Sequence, residues 1–181
     1  GADKASGRAM PVTNNAPLRS GKGSLYEGGI RIPLIIRWPG VSHAGVCDEP
    51  VVTMDLFNTL LSAAGQPSPA ADGMDITPLL KEPKSKLNRE ALFFHYPHYY
   101  HTTTPVSAVR SGDWKLLEFF EDRHLELYNL RADLGEQHDL AKEMPDKVAV
   151  LRDQLHAWRE SVGAALPTVN PDFKPGKPNA K

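Results

Sequence analysis

Between residues 91 and 163 the sequence spells out four short β-type runs followed by one amphipathic helix, and this pattern limits the fold more than any other feature. The runs are Ala91–His95, Val106–Arg110, Trp114–Phe120 and Leu125–Leu130, separated by turn signals such as Ser111-Gly112-Asp113. Short connections between successive strands imply an antiparallel meander. Val148, Leu151, Leu155, Trp158 and Val162 then recur at intervals of three and four, with Pro145 in a first helical turn and Gly163 beyond the last. One apolar stripe of this kind suits a helix that covers a sheet, which makes a small two-layer α+β unit. A unit of this size is near the lower limit for independent stability and is expected to lean on a larger neighbour.

The first half reads differently. Residues 1–24 are polar and Gly-rich with little periodicity, as in a long loop. Ile30 to Trp38 is β-branched and aromatic and is closed by Pro39-Gly40; because Pro33 cannot donate to a ladder, the strand is expected at Leu34–Arg37. Leu56, Phe57, Leu60, Leu61 and Ala64 follow helical spacing over Thr53–Ala64, with Asp55 or Thr53 as the cap and Gly65 as the stop. Residues 66–88 carry four prolines with Ser and Lys and read as an extended linker, and 167–181, with four prolines and three lysines, as an extended tail.

Composition narrows the function classes. Twenty-one basic against 22 acidic side chains leave a net charge of −1, so the total charge favours neither a nucleic acid nor an anionic membrane as partner. The single cysteine, Cys47, forbids an internal disulfide and a Cys-rich zinc site; a buried or half-buried thiol is expected for it. No run of 18 apolar residues occurs, and Gly1-Ala2-Asp3-Lys4 lacks the basic-then-apolar order of a leader, so neither a membrane span nor an address is expected in the chain as given.

Three places could carry chemistry. Lys22 stands between Gly21 and Gly23, with Gly28-Gly29 shortly after. Glycines let the backbone bend and approach a ligand, and a lysine at the bend offers a compact charge to an oxyanion; a tight hairpin with a solvated lysine is the plainer alternative. The phosphate-loop pattern fails, because Ala16 and Gly23 stand where Gly and Ser or Thr are required. Arg19 and Arg31 flank the loop, and residues 1–40 hold six basic against two acidic side chains, a local field that would attract an anionic ester. The third place is His95-Tyr96-Pro97-His98-Tyr99-Tyr100-His101. Histidines three apart across a proline do not converge on a metal. Either they end a strand with polar tips in water or they recognise a substrate.

The longer string around Lys22 changes the balance. Pro17-Leu18-Arg19-Ser20-Gly21-Lys22-Gly23, Tyr26-Glu27-Gly28-Gly29-Ile30-Arg31-Ile32-Pro33 and Trp38-Pro39-Gly40 closely resemble the corresponding stretch of type I sulfatases, the arylsulfatase family. The resemblance continues through Asp55-Leu56-Phe57, Asp72-Gly73, Pro78-Leu79-Leu80, Ala108 to Leu116, Glu126 to Leu130 and Asp133 to Ala141, although Asn58 stands where the family usually has Pro. It covers about residues 16–160.

The resemblance implies an α/β, alkaline-phosphatase-like fold of which this chain is the C-terminal part. Residues 1–88 would end the main α/β domain and its linker, 89–166 would form the subdomain of antiparallel sheet and helix, and 167–181 the tail. It implies a sulfuric ester hydrolase in which a Cys or Ser in a Cys/Ser-x-Pro-x-Arg sequence becomes formylglycine and Ca2+ polarises the sulfate. Lys22 looks like the family lysine that contacts sulfate near the ester oxygen, with Arg19, His95 and His98 as substrate-binding residues. Val46-Cys47-Asp48-Glu49-Pro50 does not fit the nucleophile pattern, and no Asp-Asn metal pair follows from Asp3-Lys4, so no metal ligand is assigned and the chain by itself is expected to be inactive. The implied partners are a sulfated small molecule or glycan and the missing N-terminal catalytic portion, with a periplasmic or extracellular setting. Two rivals stay open: a phosphate or phosphonate ester hydrolase of the same superfamily, and a non-catalytic glycan-binding or interaction module.

Overall fold

A computed structural model describes residues 14–68, 72–168 and 170–172. The expectations for residues 1–13, including Asp3-Lys4, and for most of the tail lie outside the described residues. Two compact units divide the chain: one joins residues up to Arg31 with those from Glu90 onward, and the other is Ile32–Arg89. The first half therefore splits at Arg31, and the lysine loop belongs with the C-terminal sheet.

In the first unit, β1 (Leu92–Tyr96), β2 (Val106–Ser111), β3 (Trp114–Phe119) and β4 (Leu125–Asn129) form one sheet in the order β1-β2-β3-β4. Every pair is antiparallel, which confirms the meander. Both faces are covered. On one, Val106, Ala108, Leu117, Phe119 and Tyr128 pack with Leu25, Tyr26 and Ile30 of the lysine-loop segment. On the other, Val109, Leu116 and Leu127 pack with Val148, Leu151 and Leu155 of the long helix, Pro145–Ser161. Phe93 stacks on Trp158 with ring centroids 4.9 Å apart. The expected stripe holds through Trp158, but Val162 is exposed beyond the helix end, and Arg159 takes the next buried position.

A sheet buried on both faces must pair any charge its strands carry. Glu118 of β3 points to the helix side, where it meets Arg152 at 3.0 Å, His156 at 2.9 Å and Arg159 at 2.7 Å. Burial works against its ionisation, but these three donors outweigh burial and hold the carboxyl below the usual glutamate range.

In the second unit, helices run over Asp55–Ala63 and Thr77–Lys81, and Gly65 stops the first at φ 66°. The first helix is where expected. Asp55, Asn58 and Thr59 are its buried residues, whereas Phe57 and Leu60 are exposed. Asp55 receives the amides of Val52 and Met74 and pairs with Arg89, so the polar face is tied down by hydrogen bonds. Its side chain turns back to Val52 in place of the expected cap. The Thr77–Lys81 helix interrupts what the sequence reads as linker. The strand expected at Leu34–Arg37 is absent: among the described residues nothing pairs with its backbone, and Ile35 is 93% exposed. Cys47 is exposed, against the expected buried thiol.

Replacing Glu118 by Gln leaves Arg159 buried without its counter-charge, and a loss of about 3 kcal/mol at neutral pH is expected. Because the folded carboxyl is held below its unfolded value, its contribution is present above about pH 4.3 and is lost as pH falls through the folded value. Thermal unfolding from about pH 6 to pH 3 should therefore show the gap between wild type and Glu118→Gln narrowing with acid.

Candidate functional site

Residues 14–31 fold back on themselves before a single helical turn, α1 (Glu27–Ile30). The Gly28 amide donates to the Arg19 carbonyl at 2.9 Å, and Asn15 Nδ2 donates to the Gly28 carbonyl at 3.0 Å. A Cβ on Gly28 would lie 2.3 Å from the Arg19 carbonyl oxygen, so only glycine allows this crossing. At the tip, the Ser24 amide and hydroxyl both donate to the Gly21 carbonyl, at 3.2 and 3.1 Å, and Gly23 takes φ 87°. Lys22 sits at the corner of this turn, exposed.

The ends of the loop are anchored by charge. Arg19 lies over the Tyr26 ring at 3.8 Å, and its Nη1 donates to the Tyr128 hydroxyl at 2.7 Å and the Glu136 carbonyl at 3.0 Å. Glu126 accepts from the hydroxyls of Tyr26 and Tyr128 at 2.7 and 2.8 Å; burial first, and then this carboxylate, pushes both phenols well above their ordinary range. At the other end, Glu27 Oε1 is 2.9 Å from the ammonium of Lys115, which is fully buried. Lys115 stands opposite Arg110 on β2 and on the same face, and Arg110 and Arg31 reach Glu27 Oε2 at 3.8 and 3.6 Å. Like charges opposite each other across a ladder repel. Glu27 supplies the acid between them.

Against this background Lys22 is distinctive. Among the described residues its ammonium has no acidic partner and no hydrogen bond, whereas Arg19, Arg31, Arg110 and Lys115 are all paired.

The His/Tyr segment is divided by the sheet. Tyr100 and Thr103 exchange backbone hydrogen bonds at 3.0 and 3.1 Å, making a hairpin with His101 and Thr102 at its tip. Thr102 Oγ1 donates to the Lys22 carbonyl at 3.0 Å, and the Tyr100 ring lies so close to Gly23 that a Cβ there would meet it at 2.1 Å. His98 is exposed and makes an edge contact with Tyr96 at 5.5 Å. The hairpin and the lysine turn therefore form one exposed surface. His95 goes elsewhere: its Nδ1 is 2.6 Å from Ser107 Oγ and its Nε2 2.7 Å from the Ala165 carbonyl, on the helix side. The carbonyl can only accept, so Nε2 carries a proton and donates. Lys22 and the loop bearing His98 are brought together; His95 is not, and Arg19 is engaged by its own scaffold.

Glu27, Lys115, Glu126, Tyr128 and Glu136 all lie in strings that carry the family resemblance, but the sequence reading gives none of them a role in the site. Two charged residues, Lys115 and Glu118, inside the largely apolar run Trp114–Phe119 were the available signal, since a buried charge needs a partner. Among the described residues no group of three His, Cys, Asp or Glu side chains could hold a metal ion.

The sequence matches the family described as N-sulphoglucosamine sulphohydrolase, C-terminal, over residues 21–161. The chain belongs to the sulfatase family. It is 38% identical over 171 residues to a sulfatase of Formosa agariphila, covering 84% of this chain and 31% of that protein. It is 45% identical over 176 residues to human arylsulfatase A, covering 82% and 34%. The solved structure of Ps i-CgsB with k-i-k-neocarrahexaose superimposes with a TM-score of 0.69 at 27% identity, over 82% of this chain and 33% of that one. A phosphonate monoester hydrolase from Silicibacter pomeroyi gives 0.52 at 25% identity, over 69% and 28%. The chain thus spans about a third of the length of these sulfatase relatives. These likenesses confirm an alkaline-phosphatase-like sulfatase C-terminal portion. No helix among the described residues is long and apolar enough to cross a membrane.

Gly28→Ala places a methyl group against two backbone carbonyls that cannot move aside. A loss of at least about 2 kcal/mol is expected, measured as the fall in thermal stability.

Proposed function

We propose that this chain works within a longer sulfatase polypeptide that hydrolyses aryl or carbohydrate sulfates, and that it contributes Lys22 to the sulfate and the loop of His98 with the Tyr100–Thr103 hairpin to the mouth of the site. The observation that carries the reading is the junction of the two loops: an unpaired ammonium at a fixed turn, with Thr102 bonded to its carbonyl and Tyr100 against its neighbouring glycine. When the S–O bond of the ester breaks, negative charge grows on the departing oxygen, and a preorganised cation beside that oxygen stabilises it more than it stabilises the bound ester.

Tyr99, 68% exposed, with Tyr100 and His101, whose rings are 4.1 Å apart, offers flat faces suited to a sugar or aryl ring. The likeness to a structure holding an oligosaccharide supports carbohydrate sulfates. In this reading His95 and Arg19 shape the site from behind. His95 fixes the strand from which the hairpin springs, and Arg19 holds the base of the lysine turn. In the intact family Ca2+ would supply electrophilic assistance and formylglycine the nucleophile, and in this reading neither role is given to a described residue of this chain. The phosphonate hydrolase neighbour keeps phosphorus esters as the second reading.

Lys22→Ala in the full-length enzyme should lower kcat for p-nitrophenyl sulfate or a sulfated monosaccharide by about 100-fold or more. This chain alone should cleave neither. A near-normal rate in the variant removes Lys22 from the reaction; faster turnover of the matching phosphonate ester by the wild type favours the second reading.

A further inference from the structure

Both ends of the lysine turn converge on one residue, Glu136. Its backbone carbonyl accepts from Arg19 Nη1 at 3.0 Å, three residues before Lys22. Its carboxylate oxygen Oε2 accepts the backbone amide of Glu27 at 2.7 Å, five residues after Lys22. Its other oxygen, Oε1, lies 2.9 Å from the ammonium of Lys115, the same ammonium that Glu27 Oε1 meets at 2.9 Å. Glu136 is 1% exposed, as is Glu27, and Lys115 is completely covered.

The backbone at Glu136 is unusual. It takes φ 52°, the left-handed region in which a side chain is strained and glycine is at ease. The preceding turn holds it there. Its amide donates to the Asp133 carbonyl at 3.2 Å, and Asp133 Oδ2 accepts the amides of Gln137 and His138, both at 2.8 Å. The following residues are pinned to β4, where the Leu127 carbonyl accepts the Leu140 amide at 2.8 Å and Asp139 Oδ1 accepts the Leu127 amide at 2.9 Å. Strain accepted in a rigid segment places a carboxylate and a carbonyl where a relaxed loop would not. A second buried carboxylate beside Glu27 costs desolvation and like-charge repulsion, and burial raises its pKa even with Lys115 opposing.

We propose that Glu136 is a positioning residue for Lys22: it clamps the two ends of the turn to the sheet, so that the ammonium is held where the ester oxygen departs. The proposal rests on the reading of Lys22 as the sulfate-contacting lysine. Glu136 touches no substrate. It acts through the distance it fixes between Arg19 and Glu27, and a misplacement of about 1 Å at the reacting group is enough to cost a large factor in rate. This gives the Asp133–Ala141 stretch a task in the reaction.

The experiment is a double-variant cycle in the full-length enzyme, read as kcat and KM on p-nitrophenyl sulfate. Glu136→Gly is the informative change, because it removes the carboxylate while suiting the left-handed backbone and keeping the carbonyl for Arg19. With Lys22 present, it should lower kcat about 30-fold with little change in KM; in the Lys22→Ala background it should change kcat less than about threefold. Glu136→Gln, which can still accept the Glu27 amide, should recover most of the rate.

If the Gly variant gives no folded enzyme, Glu136→Asn carries the same cycle. Asn tolerates the left-handed region and is one methylene shorter, so it does not reach the Glu27 amide. Equal losses with and without Lys22, or a normal rate in Glu136→Gly, overturn the positioning role while leaving the Lys22 reading intact. A normal rate in Lys22→Ala alone overturns the reading itself.

Discussion

The first unit depends on a lysine sealed inside a sheet. Lys115 has neighbours on both adjacent strands and no access to water, so its charge survives only if acids are brought to it. Glu27 and Glu136 are those acids, and they come from segments more than 100 residues apart. Removing either carboxylate leaves charge unbalanced in a low-dielectric interior. Satisfying them therefore fixes the course of two loops that lack regular secondary structure for most of their length.

That constraint explains why a Gly-rich stretch takes a defined course. Glycines at 21, 23, 28 and 29 would give a free loop in isolation. Here the tight crossing at Gly28, the Arg19 clamp and the Glu27 ion pairs remove that freedom, and Lys22 is the cation of the group left unpaired among the described residues. The covering layers are also complementary in charge. Acid from the loop meets the cations of β2 and β3 on one face, and Arg159 from the helix meets Glu118 of β3 on the other.

Much of this was legible in the chain. The four strands and the long helix follow from β-type runs, turn residues and a three-four apolar spacing, because those patterns report local geometry and one buried stripe. The string around Lys22 also carries the resemblance to the family. The strand at Leu34–Arg37 failed for a physical reason: an extended run becomes a strand only when another backbone completes its hydrogen bonds, and none of the described residues does so. The Asp55–Ala63 helix lies where its spacing puts it, but its inward face was not legible. Apolar spacing predicts which residues share a face, but the carboxylate of Asp55 bound to Arg89 decided which face turned inward. His95 and His98 sit in one polar cluster in sequence, and strand alternation sends the first toward the helix side.

The sequence by itself determined the four strands and the long helix, the antiparallel order of the strands, the family, and which lysine stands at a glycine bend. All of these rest on contacts between near neighbours or on short strings of residues. The tertiary structure alone decided that the lysine turn packs on the sheet, that the hairpin at Thr102 touches it, and that Glu136 holds both of its ends. Those relations join residues 80 to 117 positions apart. No periodicity encodes them, because they arise only when buried charges must find partners across a folded interior.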